Sequence, residues 1–316
     1  MTHHVVFDTD PGVDDALALL WLASLCHQGH CNLDIVTTVE GNVAKELTYD
    51  NAGRLLKIAG LENTVVGLGT YQRGGRSCAA HVHGFDGLGG LSELLPEPQV
   101  PVSNAPDSVD IILKRLSQAS PRCSLLAVGP LTNLALAEAA QPGILRRPKE
   151  IIVMGGAVRQ GNVTPHAEFN IHFDPGAAQT VFQNTKDLIL IPLNVTRKLV
   201  FTQSHARMVG DKNSHGIFAQ LIEQLTEFMT STAVSRGATE GFFVHDAATV
   251  AYLMYPELLS FSQGFLSVDL SDTDRNGETV VDFGADSDQC NAWVATDIQA
   301  EEVLNRLCDD LRYLAN

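Results

Sequence analysis

The sequence has few positive charges and no long apolar run. Lysine and arginine number 21 against 37 aspartates and glutamates, which gives a formal net charge of −16. A field of this sign repels phosphate backbones and anionic headgroups, so nucleic-acid and membrane partners are disfavoured. No segment approaches the roughly 18 apolar residues of a spanning helix, and no basic start precedes an apolar leader segment. We therefore expect a cytoplasmic protein.

The cysteines form no ligand or disulfide pattern. They are widely spaced, without a CxxC pair or a zinc-type Cys/His spacing, which predicts reduced thiols. The six are Cys26, Cys31, Cys78, Cys123, Cys290 and Cys308. Charged residues are only 18% and hydrophobic residues 45%, a balance typical of a globular protein with a large core and not of a disordered chain.

Short apolar segments alternate with helical ones over the first two thirds of the chain. Strands are predicted at 5–8, 33–39, 65–68, 124–128, 151–154 and 188–192. Helices are predicted at 14–26, 44–59, 107–119, 132–140 and 175–184. This order predicts an α/β fold with an open, mostly parallel, twisted, Rossmann-like sheet and helices on both faces.

The last third of the chain reads differently. Helical insertions are predicted at 217–234 and 245–254, and a C-terminal β-hairpin at 265–270 and 279–283 around Asn276-Gly277. A strand at 293–295 and a helix at 298–314 follow. No linker or repeat divides the chain, so we expect a single domain over residues 1–316.

Four aspartates lie within eight residues near the start of the chain. An apolar strand ends in Asp8-Thr9-Asp10, a Pro-Gly turn follows, and Asp14-Asp15 open an apolar helix. In a parallel sheet this places the carboxylates at the carboxyl edge, where ligands bind. Asp14 and Asp15 could simply favour the first turn of the helix. Because so many like charges disfavour joint ionisation, we give more weight to a hard cation with oxygen ligands, Ca²⁺ or Mg²⁺.

The segment DTDPGVDDALAL resembles the N-terminal signature of the inosine-uridine preferring nucleoside hydrolases, which are ribonucleoside N-glycosidases. Further segments agree in order along nearly the whole chain. They are Glu40-Gly41-Asn42, His83-Gly84, Val128-Gly129-Pro130-Leu131-Thr132-Asn133, Val153-Met154-Gly155-Gly156, Gly161-Asn162, Ala167-Glu168-Phe169-Asn170, Asp174-Pro175 and His245-Asp246. An ordered set of this kind is far more specific than any one motif.

The resemblance implies a Ca²⁺-dependent hydrolase that cleaves the N-glycosidic bond of uridine, cytidine or inosine with water. It implies metal ligation by Asp10, Asp15, Asp246 and the carbonyl of Val128, with Asp10 also the general base. His245 resembles the family's acid at the leaving base. The residues that resemble the substrate-binding set are Asp14, Asn42, His83, Met154, Asn162, Glu168, Phe169 and Asn170. Salvage of nucleosides and a homo-oligomer, dimer or tetramer, are further implications.

The chemistry of the reaction agrees with these residue types. Positive charge develops on the sugar in an oxocarbenium-like transition state, which carboxylate and amide oxygens stabilise. Other interpretations remain open for single residues: Asn162 and Asn170 as turn residues, Met154 and Phe169 as core, and His83 as a structural residue. His245-Asp246 could also be only a helix start.

Four positions depart from the family pattern: Ala247 replaces an expected proline, Asn194 an expected aspartate, and His166 and His172 flank the Glu168 segment. These four differences affect the expected shape of the substrate pocket, but none of them replaces a proposed metal ligand.

Two alternative functions are weighed. Asp8-Thr9-Asp10 resembles the start of haloacid dehalogenase-like, Mg²⁺-dependent phosphatases, but Gly12 stands where that pattern wants threonine or valine. A ribose-binding module without turnover would need neither Asp10 nor His245.

Overall fold

The computed structural model describes residues 2–70, 78–118, 123–185, 188–210, 216–235 and 240–315. The strands are β1 His3–Thr9, β2 Cys31–Thr38, β3 Val65–Gly67, β4 Ser124–Ala127, β5 Glu150–Met154, β6 Leu188–Ile191, β7 Val200–Phe201, β8 Phe242–Phe243, β9 Leu259–Val268, β10 Thr279–Asp282 and β11 Ala292–Ile298. The helices are α1 Val13–His27, α2 Lys45–Ile58, α3 Ala80–His83, α4 Ser108–Leu116, α5 Thr132–Ala140, α6 Phe169–Phe173, α7 Pro175–Asn184, α8 Leu193–Thr196, α9 Gln203–Val209, α10 Ile217–Ser235, α11 Ala247–Met254 and α12 Ala300–Ala315.

Nine of these strands form one sheet in the order β10-β9-β11-β6-β5-β4-β1-β2-β3. All neighbours from β11 to β3 are parallel, and β9 pairs antiparallel with both β10 and β11. Two apolar clusters, one on each side of the sheet, form the core. The predicted mostly parallel, helix-flanked sheet is therefore confirmed.

The strand order reverses beside β1. The chain runs outward from β1 to β2 and β3, and then returns to place β4 on the other side of β1. Such a switch point opens a crevice at the carboxyl ends of the strands. The loops after β1 and β4, which carry Asp10 and Val128, meet at this crevice.

Helix α1 is buried on nearly every side, which explains its unbroken apolar sequence. Residues Val13 to Leu25 are all buried, and α2, α11 and α12 pack around the helix. Trp21 donates its indole N–H to Asp310 on α12 at 2.8 Å. The acidic N-terminus of α1 is consequently fixed relative to the sheet.

The C-terminal hairpin is present, with different bounds from those predicted. Strands β9 and β10 pair with Thr279 opposite Val268, so residues 269–278 form a longer loop than a two-residue turn. Gly277 has a φ of +86° and closes this loop by donating its N–H to the carbonyl of Asp269 at 2.8 Å. The Asn-Gly pair thus ends the loop instead of forming the whole turn. No helix in the described ranges is long and apolar enough to cross a membrane.

Asp86 organises the glycine-rich loop that follows α3. Its carboxylate accepts backbone N–H groups from Leu88, Gly90 and Ser92 at 2.8 to 3.0 Å. Burial raises the pKa of Asp86, but these hydrogen bonds outweigh it and hold the pKa below its ordinary value. The charged carboxylate therefore stabilises the fold.

We predict that Asp86→Asn lowers the free energy of unfolding by about 1–3 kcal/mol at pH 7. The substitution replaces one accepting oxygen with an NH2 group and so leaves a buried backbone N–H without its acceptor. A depressed folded-state pKa gives stability that is present above the unfolded pKa and lost as the pH falls through the folded one. The difference from the parent should therefore shrink below about pH 4. Urea unfolding at both pH values measures it, with Asp288→Asn, at an exposed site, as control. A deficit unchanged in acid would contradict the charge-based account.

Candidate active site

Three buried carboxyl groups from opposite ends of the chain meet at the crevice. Asp14 and Asp15 lie in the first turn of α1, and Asp246 lies directly before α11. One carboxylate oxygen from each of the three lies within 4.8 Å of the other two. The fold thus brings together residues more than 230 positions apart in the sequence.

The environment opposes full ionisation of this cluster. Burial, followed by repulsion from Asp15, raises the pKa of Asp14 to about 8. Burial and the neighbouring carboxylates raise the pKa of Asp246 well above its ordinary value. Asp15 also has a raised pKa because it is buried, although Thr9 and backbone N–H groups donate to it. Bringing a positive charge into the cluster would remove the repulsion.

Asp10 lies beside the cluster, under the loops after β2 and β4. Its Oδ2 accepts the backbone N–H of Asn42 at 2.7 Å, while its Oδ1 is buried and has no hydrogen-bond partner among the described residues. Glycine is required at two neighbours, since a Cβ on Gly41 or Gly129 would lie 2.1 or 2.5 Å from a carboxylate oxygen of Asp10. Burial and the charge of Asp15 raise the pKa of Asp10 well above its ordinary range.

These residues fit a divalent cation. The donors are all oxygen, the carboxylates are buried, and Asp10 Oδ1 has no hydrogen-bond partner within the described ranges. The grouping differs from the expected one, because the close trio includes Asp14 where the resemblance implied Asp10. The carbonyl of Val128 accepts the side-chain N–H of Asn170 at 2.7 Å and retains a second lone pair.

A cavity of about 1020 Å³ opens above the cluster. All of the predicted site residues except Asp10 line it. These are Asp14, Asp15, Asn42, His83, Val128, Met154, Asn162, Glu168, Phe169, Asn170, His245 and Asp246. The fold therefore brings the residues predicted from the motifs together around one cavity.

Glu168 and Asn170 are fixed by backbone contacts on one wall of the cavity. Glu168 caps α6 and accepts N–H groups from Gly156, Asn170 and Ile171 at 2.9 to 3.1 Å. Asn170 is buried and its amide also donates to the carbonyl of Met154 at 3.1 Å. It is therefore not a simple turn residue.

Asn162 and Phe169 hold the loop beside this wall. Asn162 is exposed and accepts the backbone N–H of Phe169 at 2.9 Å, a loop-closing contact that agrees with the turn interpretation. Phe169 is half-buried and packs on Phe173, with ring centroids 5.5 Å apart. It has both a packing contact and a place in the cavity lining.

Three histidines border the cavity, His81, His83 and His245. The Nδ1 atom of His83 accepts the backbone N–H of Val13 at 3.1 Å, which ties α3 to the start of α1. His245 lies 2.7 Å from the hydroxyl of Thr196 through its Nδ1. Burial, followed by the charge of Arg197 and of His83, lowers the pKa of His245 to about 3. The ring is therefore neutral at pH 7, unlike a histidine with the ordinary pKa, which is partly protonated near neutral pH.

No sequence pattern indicated the cavity wall formed by β7 and β8. The two short strands pair with each other, and the cavity wall that they form contains Val200, Thr202, Phe242 and Phe243. Helix α10 contributes Met229 to the same wall. Two-residue strands leave no periodic pattern to detect. Much of this wall is apolar, in contrast to the carboxylate cluster that lines the same cavity.

The four departures from the family pattern lie in the supporting structure. Asn194 accepts the N–H of Val158, Ala247 is buried at the start of α11, and His172 contacts the carbonyl of Asn276 in the hairpin loop at 3.0 Å. His166 is half-buried. None of the four lines the cavity.

A parallel sheet with buried carboxylates at its switch point, below a cavity with polar and apolar walls, defines a metal-dependent enzyme for a small polar substrate. The model of the family described as inosine-uridine preferring nucleoside hydrolase matches residues 5–305. The pyrimidine-specific ribonucleoside hydrolase RihA of Shewanella woodyi is 33% identical over 98% of each chain. The inosine-uridine preferring nucleoside hydrolase of Leishmania major is 32% identical over 90% of this chain and 88% of its own. The solved structure of the plant nucleoside hydrolase PpNRh1 has a TM-score of 0.88 at 28% identity, with 98% and 99% of the two chains covered.

The chain belongs to the inosine-uridine preferring nucleoside hydrolase family, a metal-dependent family of ribonucleoside hydrolases. The resemblance read from the motifs is confirmed, and so is the enzyme class. The match runs across nearly the whole chain and therefore includes all the motif segments.

We predict that Asp246→Asn leaves the cation-free protein at least as stable as the parent, because it removes one member of the repelling cluster. Adding excess calcium or magnesium chloride should raise the melting temperature of the parent by several degrees and hardly change that of the variant. Thermal unfolding with chelator and with added cation measures both effects.

Asp288→Asn is the matched control for this experiment, since it makes the same chemical change on the surface. Equal stabilisation of the parent and of Asp246→Asn by the cation would show that it binds elsewhere.

Proposed function

We propose that this chain is a Ca²⁺-dependent ribonucleoside hydrolase that converts uridine, cytidine or inosine, with water, to ribose and the free base. The observation that carries the proposal is the buried trio of Asp14, Asp15 and Asp246 at the floor of the cavity. Asp10 lies beside it, with one carboxylate oxygen that no described residue hydrogen-bonds. The similarity to relatives described as pyrimidine-specific and inosine-uridine preferring hydrolases supports it.

Ribose is assigned to the polar end of the cavity. Asp14, Asn42, Glu168 and Asn170 line that end and present carboxylate and amide groups suited to sugar hydroxyls. Their oxygens also suit the positive charge that develops on the ring as the N-glycosidic bond breaks. Since Glu168 and Asn170 are already fixed by backbone hydrogen bonds, little reorganisation accompanies the reaction.

Asp10 is proposed as the general base. Its Oδ2 is occupied by the N–H of Asn42, whereas its Oδ1 is free of any described partner and can take a proton from the attacking water. Its raised pKa makes this carboxylate a stronger base than an ordinary aspartate. The glycines at positions 41 and 129 leave space around it.

His245 is proposed to hydrogen-bond the leaving base. A neutral imidazole carries one N–H, which can donate to the base as the electron pair of the broken bond collects on it. The adjacent apolar wall, including Phe242 and Phe243, is assigned to the flat faces of the base. The cavity is large enough for purine or pyrimidine nucleosides, so both stay in the proposal.

Ca²⁺ is proposed as the cation because every candidate ligand is an oxygen atom and the site mixes carboxylates with a backbone carbonyl. Residues Asp10, Asp15, Asp246 and the carbonyl of Val128 would hold it, with Asp14 close by. When bound, the cation supplies a Lewis-acidic centre that orients water and the ribose diol.

The proposal also includes the expected domain organisation, oligomeric state and cellular location. The continuous nine-stranded sheet, whose strands come from both ends of the chain, supports one catalytic domain over residues 1–316. A homo-oligomer and a cytoplasmic location stay predictions. The family assignment favours glycosidic cleavage over the phosphatase and the ribose-binding alternatives.

The direct test is product release. We predict that the protein releases ribose from uridine or inosine, and that 2′-deoxynucleosides such as thymidine react at least 100-fold more slowly, because the polar floor holds the diol. Chelation should abolish release, and Ca²⁺ should restore it better than Mg²⁺. Chromatography measures the free base, and a reducing-sugar assay measures the ribose. Equal rates on uridine and thymidine, or phosphate release from a phosphomonoester instead, would refute the assignment.

The role of Asp10 is tested separately. Asp10→Asn should lower kcat for uridine by roughly 10²–10⁴-fold, the usual range for loss of a general base, with circular dichroism unchanged. Asp110→Asn on the surface of α4 is the matched control. A kcat within about threefold of the parent would remove Asp10 from the proton transfer.

A further inference from the structure

We propose that Thr196 is a positioning residue that fixes which ring nitrogen of His245 carries the hydrogen. The inference rests on the proposed function, because it concerns the group that meets the leaving base. Its basis is the 2.7 Å contact between the Thr196 hydroxyl and Nδ1 of His245.

Among the described residues, the hydroxyl of Thr196 has one acceptor within reach. Thr196 is fully buried, and Nδ1 of His245 is the only hydrogen-bond partner of its side chain in the described part of the chain. A buried hydroxyl hydrogen is almost always paired, so it donates to Nδ1. The nitrogen that accepts carries no hydrogen, and a neutral ring must then carry it on Nε2.

The position of Thr196 is itself rigid. It ends the short helix α8, where its N–H donates to the carbonyl of Pro192 at 3.1 Å and its carbonyl accepts the N–H of Leu199 at 3.0 Å. Leu199 in turn accepts the N–H of Val244, directly before His245, at 3.0 Å. The hydroxyl and the imidazole are thus fixed to the same backbone network.

A second contact limits rotation of the ring. Phe243 packs against His245 with centroids 5.5 Å apart and planes tilted by 37°. Strand pairing with Val200 fixes the backbone position of Phe243. With Nδ1 bound on one side and Phe243 on another, Nε2–H is left as the donor for the base in the cavity.

This arrangement makes a prediction about leaving groups. A pyrimidine base leaves as a poor anion and needs a donor, whereas p-nitrophenolate leaves readily without one. Loss of the Thr196 hydroxyl should therefore slow nucleosides selectively. A purely structural role would slow both substrates alike.

The experiment compares Thr196→Val and Thr196→Ser on uridine and on p-nitrophenyl β-D-ribofuranoside. Thr196→Val should lower kcat on uridine about 10-fold or more and change kcat on the aryl riboside less than about threefold. Thr196→Ser should restore uridine turnover to within a few-fold of the parent. Thr185→Val, which removes another buried hydroxyl that does not line the cavity, should leave both rates unchanged.

Equal losses on the two substrates, or no loss on either, would overturn the proposal. The tautomer of His245 can be measured independently of activity from ¹⁵N spectra of the parent protein labelled at histidine. The His245 signal is assigned by its absence from the spectrum of His245→Gln. The proposal expects the Nε2–H form, and an Nδ1–H form would overturn it. Failure of the parent to hydrolyse either riboside would instead count against the proposed function, and the spectrum would still test Thr196.

Discussion

Repulsion among four buried carboxylates is the constraint on which this structure depends. Asp10, Asp14, Asp15 and Asp246 are all withdrawn from water, and neighbouring carboxylates raise the pKa values of Asp10, Asp14 and Asp246. A protein gains no stability from such a cluster by itself, since each buried charge lacks solvation. The arrangement is therefore explained by what it binds, and a divalent cation is the simplest partner that satisfies every member.

The rest of the fold holds these charges together. Helix α1 is enclosed on nearly all sides, so its acidic end cannot move away from the sheet. Asn42 donates to Asp10 and to Asp15 and thereby links the loop after β2 to two of the four carboxylates. Carboxylates that repel one another are thus held in place by hydrogen bonds. The site is therefore rigid before substrate arrives.

Much of this could be predicted from the sequence, and the exceptions have physical reasons. The alternation of apolar strands and helices is local, so the sheet and most helix positions followed from it. The meeting of Asp246 with Asp14 depends on tertiary structure, and only the resemblance to a family indicated it. The contact between Thr196 and His245 has no local signal, because Thr196 ends a four-residue helix that reads as a turn. The pKa of His245 likewise depends on enclosure, which composition does not encode.

The central claim is that the carboxylates from both ends of the chain share one divalent cation. The most direct measurement is an anomalous difference map from a crystal grown with a strongly scattering calcium substitute such as Sr²⁺. The account predicts a single strong peak within bonding distance of Asp15 and Asp246, at the floor of the cavity. A map without a peak there, while the crystal binds the cation elsewhere or not at all, would contradict it.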